Sequence, residues 1–178
     1  MVTIKDKQFE SFISEEEILS EVSALGKHLS EDYDQKEVIF VAMLNGAFMF
    51  ASDLMKKITS PCKISFVKVS SYEGENSTGK VTELIGINED LKGKHVVLVE
   101  DIVDTGMTIE SILPTLKQSG AASVKVCTLL FKPEAFKGAL KPDYIGFSIP
   151  NRFVVGYGLD YDGYGRNLNA IYQLKKEG

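Results

Sequence analysis

The chain has 178 residues, 44% of them hydrophobic and 25% charged, with a formal net charge of -5. That length suits one domain with a continuous core, and the acidic balance supplies no long-range attraction for nucleic acid or anionic lipid. No apolar run approaches the roughly 20 residues that span a bilayer, and the N-terminus lacks a signal-peptide core, so a cytoplasmic protein with no membrane or nucleic-acid partner is expected.

In chain order, Ser14-Glu15-Glu16-Glu17 forms a capping box ahead of Ile18, Leu19, Val22, Leu25 and Leu29, an apolar stripe at helical spacing. Residues 38–44 are a continuous apolar run rich in strand formers and read as a buried parallel strand. Asn45-Gly46 ends it, after which Phe48, Phe50, Leu54 and Ile58 predict a helix crossing back over a sheet. Strands are predicted at 63–70 and 81–87, separated by a polar surface loop at 71–80. Residues 95–100 give the strongest buried-strand signal. A Gly-containing turn and a helix with Met107, Ile109, Ile112, Leu113 and Leu116 on its apolar face follow it. Residues 124–131, 144–149, 153–157 and 170–174 read as further strands. Alternating strands and helices predict an α/β fold, a mostly parallel open twisted sheet flanked by helices, with an irregular C-terminal section. Cys62 and Cys127 lie apart and in no ligand cluster, so both are expected as buried thiols. His28 and His95 are isolated, and Gly156-Tyr157-Gly158 lacks the third glycine of a dinucleotide fingerprint.

The segment 97–108 places Glu100, Asp101 and Asp104, with Thr105 and Thr108, at the carboxyl end of a buried strand, where open α/β sheets bind ligands. Glu100 and Asp101 can accept hydrogen bonds from sugar hydroxyls. Backbone N–H groups of residues 104–108, at a helix N-terminus, can cradle a phosphate, with Gly106 permitting close approach. A structural alternative is an acidic turn in which Thr105 caps the helix.

This segment resembles the 5-phosphoribosyl 1-pyrophosphate (PRPP) motif of type I phosphoribosyltransferases, and other segments resemble the hypoxanthine-guanine branch. These are Leu44-Asn45-Gly46, Ser71-Tyr72, Lys132, and Phe153 to Asp160 with Arg166. The resemblance implies one domain over 1–178, with its core at about 38–150 and a purine-binding hood from about 150–178 and the N-terminal segment. It implies that Glu100, Asp101, Ile102, Val103, Asp104, Thr105, Gly106, Met107 and Thr108 bind the ribose and 5'-phosphate of PRPP. Asp104 would act as general base near the purine N7. Leu44, Asn45, Gly46 and Arg166 would contact pyrophosphate, the first three through a loop where an unusual cis peptide can present a backbone N–H. Asn45 stands where many relatives carry Lys or Arg.

By the same resemblance, Lys132, Phe153, Val154, Leu159 and Asp160 would bind the purine, Lys132 by donating to its 6-oxygen and Phe153 by stacking. Glu100, Asp101 and Asp160 would hold Mg2+, and Ser71 and Tyr72 would belong to a loop closing over the site. The implied reaction joins hypoxanthine or guanine to PRPP, giving IMP or GMP and pyrophosphate, in a homodimer or homotetramer. Two alternatives stay open: a regulatory protein of the PRPP fold that binds nucleic acid, and a transferase preferring xanthine. Read singly, Lys132 is a solvated lysine at a strand end, Phe153 plain core, and Asp160 or Arg166 a surface ion pair.

Overall fold

The computed structural model describes residues 1–70 and 82–175. In chain order these contain β1 (Val2–Ile4), β2 (Lys7–Ile13), α1 (Glu15–Asp32), β3 (Val38–Met43), α2 (Phe48–Met55), β4 (Cys62–Ser70), β5 (Thr82–Ile85), β6 (His95–Val103), α3 (Met107–Gln118), β7 (Ser123–Phe131), β8 (Tyr144–Ser148), β9 (Val154–Val155) and β10 (Ile171–Leu174). No helix among the described residues is long and apolar enough to cross a membrane.

Six strands form the main sheet in the order β5-β4-β3-β6-β7-β8, with β5 antiparallel to β4 and the other pairs parallel. The alternation of side chains across each strand fills two cores. On β3, Val38, Phe40 and Ala42 join the side covered by α1 and α2, while Ile39, Val41 and Met43 join the side covered by α3. Both faces are therefore dry, which is why these strands read as unbroken apolar runs.

The capping box at the start of α1 is formed as the sequence predicts: the Ser14 side chain accepts from the Glu17 N–H, and the Glu17 carboxylate accepts from the Ser14 N–H at 2.8 Å. Such a cap stabilises by about 1 kcal/mol. The buried stripe of α1 is Ile18, Val22, Leu25, Gly26 and Leu29, with Leu19 outside it. Three other expected positions also differ. Phe48 and Met107 sit in the first turns of α2 and α3, where the helix has not yet met the sheet, and both are exposed; Cys62 is only part-buried.

A second sheet, entirely antiparallel, has the order β1-β2-β10-β9 and forms the hood. Its core is small, built from Ile4, Phe9 and Val155. The expected strand at 153–157 shrinks to β9, because residues 156–164 turn through Gly156 and Gly158 and close local bridges Gly156↔Leu159 and Tyr161↔Tyr164.

Candidate active site

The topology opens a crevice between β3 and β6. The chain leaves β3 through α2 toward β4 on one side, and leaves β6 through α3 toward β7 on the other, so nothing crosses between the two strand ends. Pairing of β6 with β3 stops at Val99↔Ala42, whereas its pairing with β7 continues to Val103↔Phe131. Residues 100–103 thus face the crevice on one edge.

Glu100 is buried there, and its Oε2 has no hydrogen-bond partner. Burial, with the adjacent Asp101 charge adding to it, pushes the Glu100 carboxyl well above the usual carboxylate range. Asp101 is part-buried, and burial pushes its carboxyl up to about 6 although the Ile102 N–H donates to it at 2.9 Å. Two carboxyls so poorly solvated have the chemistry to accept from a donor or to meet a cation.

Beyond Val103 the chain turns into α3 through Gly106, the N-cap, whose φ of 91° lies in the left-handed region. Glu100, Ile102, Val103, Asp104, Thr105, Gly106, Thr108 and Ile109 line a cavity of about 200 Å³. The first-turn N–H groups of α3 have no intrahelical acceptors and point, with the helix dipole, toward this loop. Thr105 Oγ1 accepts from the Met107 N–H only at 3.4 Å, so it is a poor cap and its hydroxyl stays available. Beside the loop, Lys132 is 6% exposed rather than solvated, because β7 delivers it inside the 103–105 turn: its N–H donates to the Val103 carbonyl, and its Nζ lies 2.7 Å from Asp104 Oδ2.

Across the crevice, the Leu44–Asn45 peptide is cis. Gly46 packs so closely that a Cβ there would lie 1.7 Å from Asp101 Oδ2, and a Cβ on Gly158 would lie 2.0 Å from the Gly46 carbonyl oxygen. Arg166 donates from Nη1 to the Gly158 carbonyl at 2.7 Å and pairs through Nη2 with Asp160 at 2.7 Å. The other Asp160 oxygen accepts from the Gly163 N–H at 2.6 Å. Tyr157, buried beside them, donates to Asp53 Oδ2 on α2 at 2.7 Å, tying the glycine-rich turn to the helix that follows Gly46. Burial and this carboxylate push the phenol upward, so it remains a donor at neutral pH.

The structure therefore brings residues 44–46, 100–101, 158–160 and 166 into one constellation and joins Lys132 to Asp104 beside it. Val154 and Leu159 are buried in the main core. Phe153 is 43% exposed and so is not plain core; its ring meets Phe9 and Tyr161 on the hood side. Ser71 and Tyr72 lie outside the described residues. Sequence reasoning missed the N-terminal hairpin of the hood and the Tyr157–Asp53 link. The alternation of Val2, Ile4, Phe9 and Ile13 with polar neighbours was the available signal for the hairpin.

Comparison with known proteins shows the family. The family model described as phosphoribosyl transferase domain matches residues 11–162. A hypoxanthine-guanine phosphoribosyltransferase of Streptococcus pneumoniae is 43% identical over 166 residues, covering 93% of this chain and 92% of that one. The enzyme of the same name from Lactococcus lactis is 41% identical over 174 residues, covering 97% and 94%. A crystal structure of a hypoxanthine phosphoribosyltransferase from Staphylococcus aureus superposes with a TM-score of 0.90 at 40% identity, over 96% of this chain and 93% of that one. Since the family match spans every strand from β3 to β9 and these relatives cover more than nine-tenths of the chain, the chain belongs to the phosphoribosyl transferase domain family and is a phosphoribosyltransferase.

Proposed function

We propose that the protein transfers the 5-phosphoribosyl group of PRPP to N9 of hypoxanthine or guanine, giving IMP or GMP plus pyrophosphate in purine salvage. The observation that carries this reading is the buried Lys132 amine held beside Asp104. An ammonium donor next to a carboxylate matches a 6-oxopurine, whose O6 accepts and whose N7 carries the proton to be removed. The names of the relatives, hypoxanthine-guanine phosphoribosyltransferases, support the same choice of base.

In this reading the first turn of α3, with Thr105 and Thr108, holds the 5'-phosphate. Glu100 and Asp101 accept hydrogen bonds from the ribose hydroxyls, which partners their poorly solvated carboxyls. N9 bonds to the anomeric carbon as the bond from that carbon to the pyrophosphate oxygen breaks, and Asp104 takes the N7 proton. Phe153 stacks on the base, with Val154 and Leu159 shaping the base edge of the pocket. Arg166, oriented by Gly158 and Asp160, keeps donors for the leaving pyrophosphate alongside the backbone of Leu44, Asn45 and Gly46.

The residues present fit magnesium. Glu100 Oε2 is a buried oxygen without a partner, and Asp101 and Asp160 add carboxylates nearby. No group of three metal-binding side chains occurs among the described residues, but this ion commonly takes one or two carboxylates, with substrate oxygens and water completing its shell. When bound, magnesium would neutralise charge on the pyrophosphate oxygens. The reading includes a homodimer or homotetramer, for which the exposed Phe48 and Phe66 rings offer apolar surface.

The test is a spectrophotometric assay with PRPP, magnesium and, in separate reactions, hypoxanthine, guanine, xanthine and adenine. Magnesium-dependent turnover of hypoxanthine and guanine is expected; turnover confined to adenine would overturn the reading, and xanthine as the best base would replace it with the neighbouring specificity. Gly46→Ala is expected to reduce kcat/KM for PRPP at least about tenfold, because the new methyl must displace Asp101. The accompanying loss of stability should stay near the 1–3 kcal/mol typical of overpacking. Unchanged PRPP kinetics in a folded Gly46→Ala protein would remove Asp101 from the sugar site.

A further inference from the structure

The exposed ring of Phe153 does not stand alone. It packs edge-on against Tyr161, with centroids 5.9 Å apart and planes at 86°, and lies 6.2 Å from Phe9. Phe9 and Tyr161 close the triangle at 6.3 Å. Phe9 is fully buried on β2 and fixes one corner. Tyr161 is only part-buried and comes from the glycine-rich loop, so something else must fix it.

That something is the turn between β1 and β2. The Tyr161 hydroxyl donates to Asp6 Oδ1 at 2.9 Å, and the Lys7 Nζ lies 4.4 Å from the centroid of the Tyr161 ring. The hydroxyl bond holds the Asp6 carboxyl below its usual range, so the acceptor is anionic at neutral pH. Lys5, in the same turn, pairs with Asp162, the next residue in the loop. The loop is also closed on itself by reciprocal N–H donation between Tyr161 and Tyr164 at 2.9 and 3.1 Å. Three consecutive residues of the hairpin, Lys5 and Asp6 of its turn and Lys7 at the start of β2, thus grip two consecutive residues of the loop.

We propose that Tyr161 is a positioning residue for purine binding: clamped by Asp6 and Lys7, it sets the tilt of the Phe153 ring on which the base stacks, without touching the base. The N-terminal hairpin then acts on base affinity through two relayed contacts. Tyr161 is a platform for the platform, and its influence should fall on the base rather than on PRPP. This inference rests on the reading that Phe153 stacks on the purine.

The test compares Phe153→Ala, Tyr161→Leu, Tyr161→Phe, Asp6→Ala and the Asp6→Ala/Tyr161→Phe double variant. For each, KM for hypoxanthine, KM for PRPP, kcat and melting temperature are measured. Tyr161→Leu should raise KM for hypoxanthine about threefold to tenfold, the range of one aromatic pair, with KM for PRPP and kcat within about twofold. Asp6→Ala and Tyr161→Phe keep the ring and are expected to have smaller effects, and the double variant should be no worse than either single one, because both remove the same bond. If Phe153→Ala raises KM for hypoxanthine while Tyr161→Leu leaves it unchanged, the positioning role is wrong and the stacking role stands. If Phe153→Ala itself leaves it unchanged, both fall. A Tyr161→Leu protein in which base and PRPP constants worsen together would mark a general structural role and overturn the proposal.

Discussion

Lys132→Ala lowers kcat/KM for hypoxanthine and guanine by about one to two orders of magnitude, the value of a lost hydrogen bond to a charged group, while KM for PRPP moves by less than about twofold. The asymmetry follows from the geometry: Lys132 reaches Asp104 from the end of β7, whereas the Glu100 and Asp101 carboxyls, proposed to hold the sugar, and the first turn of α3 are untouched. The variant also strips Asp104 Oδ2 of its ammonium partner, so Lys132→Met, which keeps the aliphatic stem in its buried slot, separates packing from charge. Unchanged base kinetics in either folded variant would refute the assignment.

Asp101→Asn is expected to inactivate and stabilise together. In the absence of ligand and metal, burial raises the Asp101 carboxyl to about 6, against about 3.9 in an unfolded chain. The folded protein therefore holds this proton more tightly than the unfolded one. Its cost to stability is absent below about pH 4 and complete above about pH 6. A shift of about two units corresponds to about 3 kcal/mol for a sealed group, and partial exposure reduces this to about 1–2 kcal/mol. At pH 8 with a chelator, Asp101→Asn should melt about 2–6 °C higher than the parent, a gain that shrinks toward pH 5. With magnesium and substrates present, its kcat/KM should fall about tenfold to hundredfold. A lower melting temperature at pH 8, or a gain independent of pH, would show that the carboxylate is not under electrostatic stress.

What the sequence made legible was the part of the molecule whose local pattern and tertiary role agree. The apolar run in β3, the capping box of α1 and the Glu100 to Thr108 turn each carry their own signal, and each lies where that signal places it. Lys132 misleads in isolation because lysine is seldom buried, and only the fold supplies the carboxylate that makes burial tolerable. The hood was the least legible region. Its strands are two to seven residues long, and partners from opposite ends of the chain hold them together, so no short window contains the information.

That last feature bears on how the protein is made. Phe9 of β2 pairs with Leu174 of β10, and the Leu174 N–H donates to the Phe153 carbonyl. During synthesis the strands from β3 to β8 can assemble while the chain is still growing, but the N-terminal hairpin must wait for β10 to emerge from the ribosome. A nascent or prematurely terminated chain ending before β10 would hold the crevice and its acidic turn, yet lack the strand that joins β9 to β2.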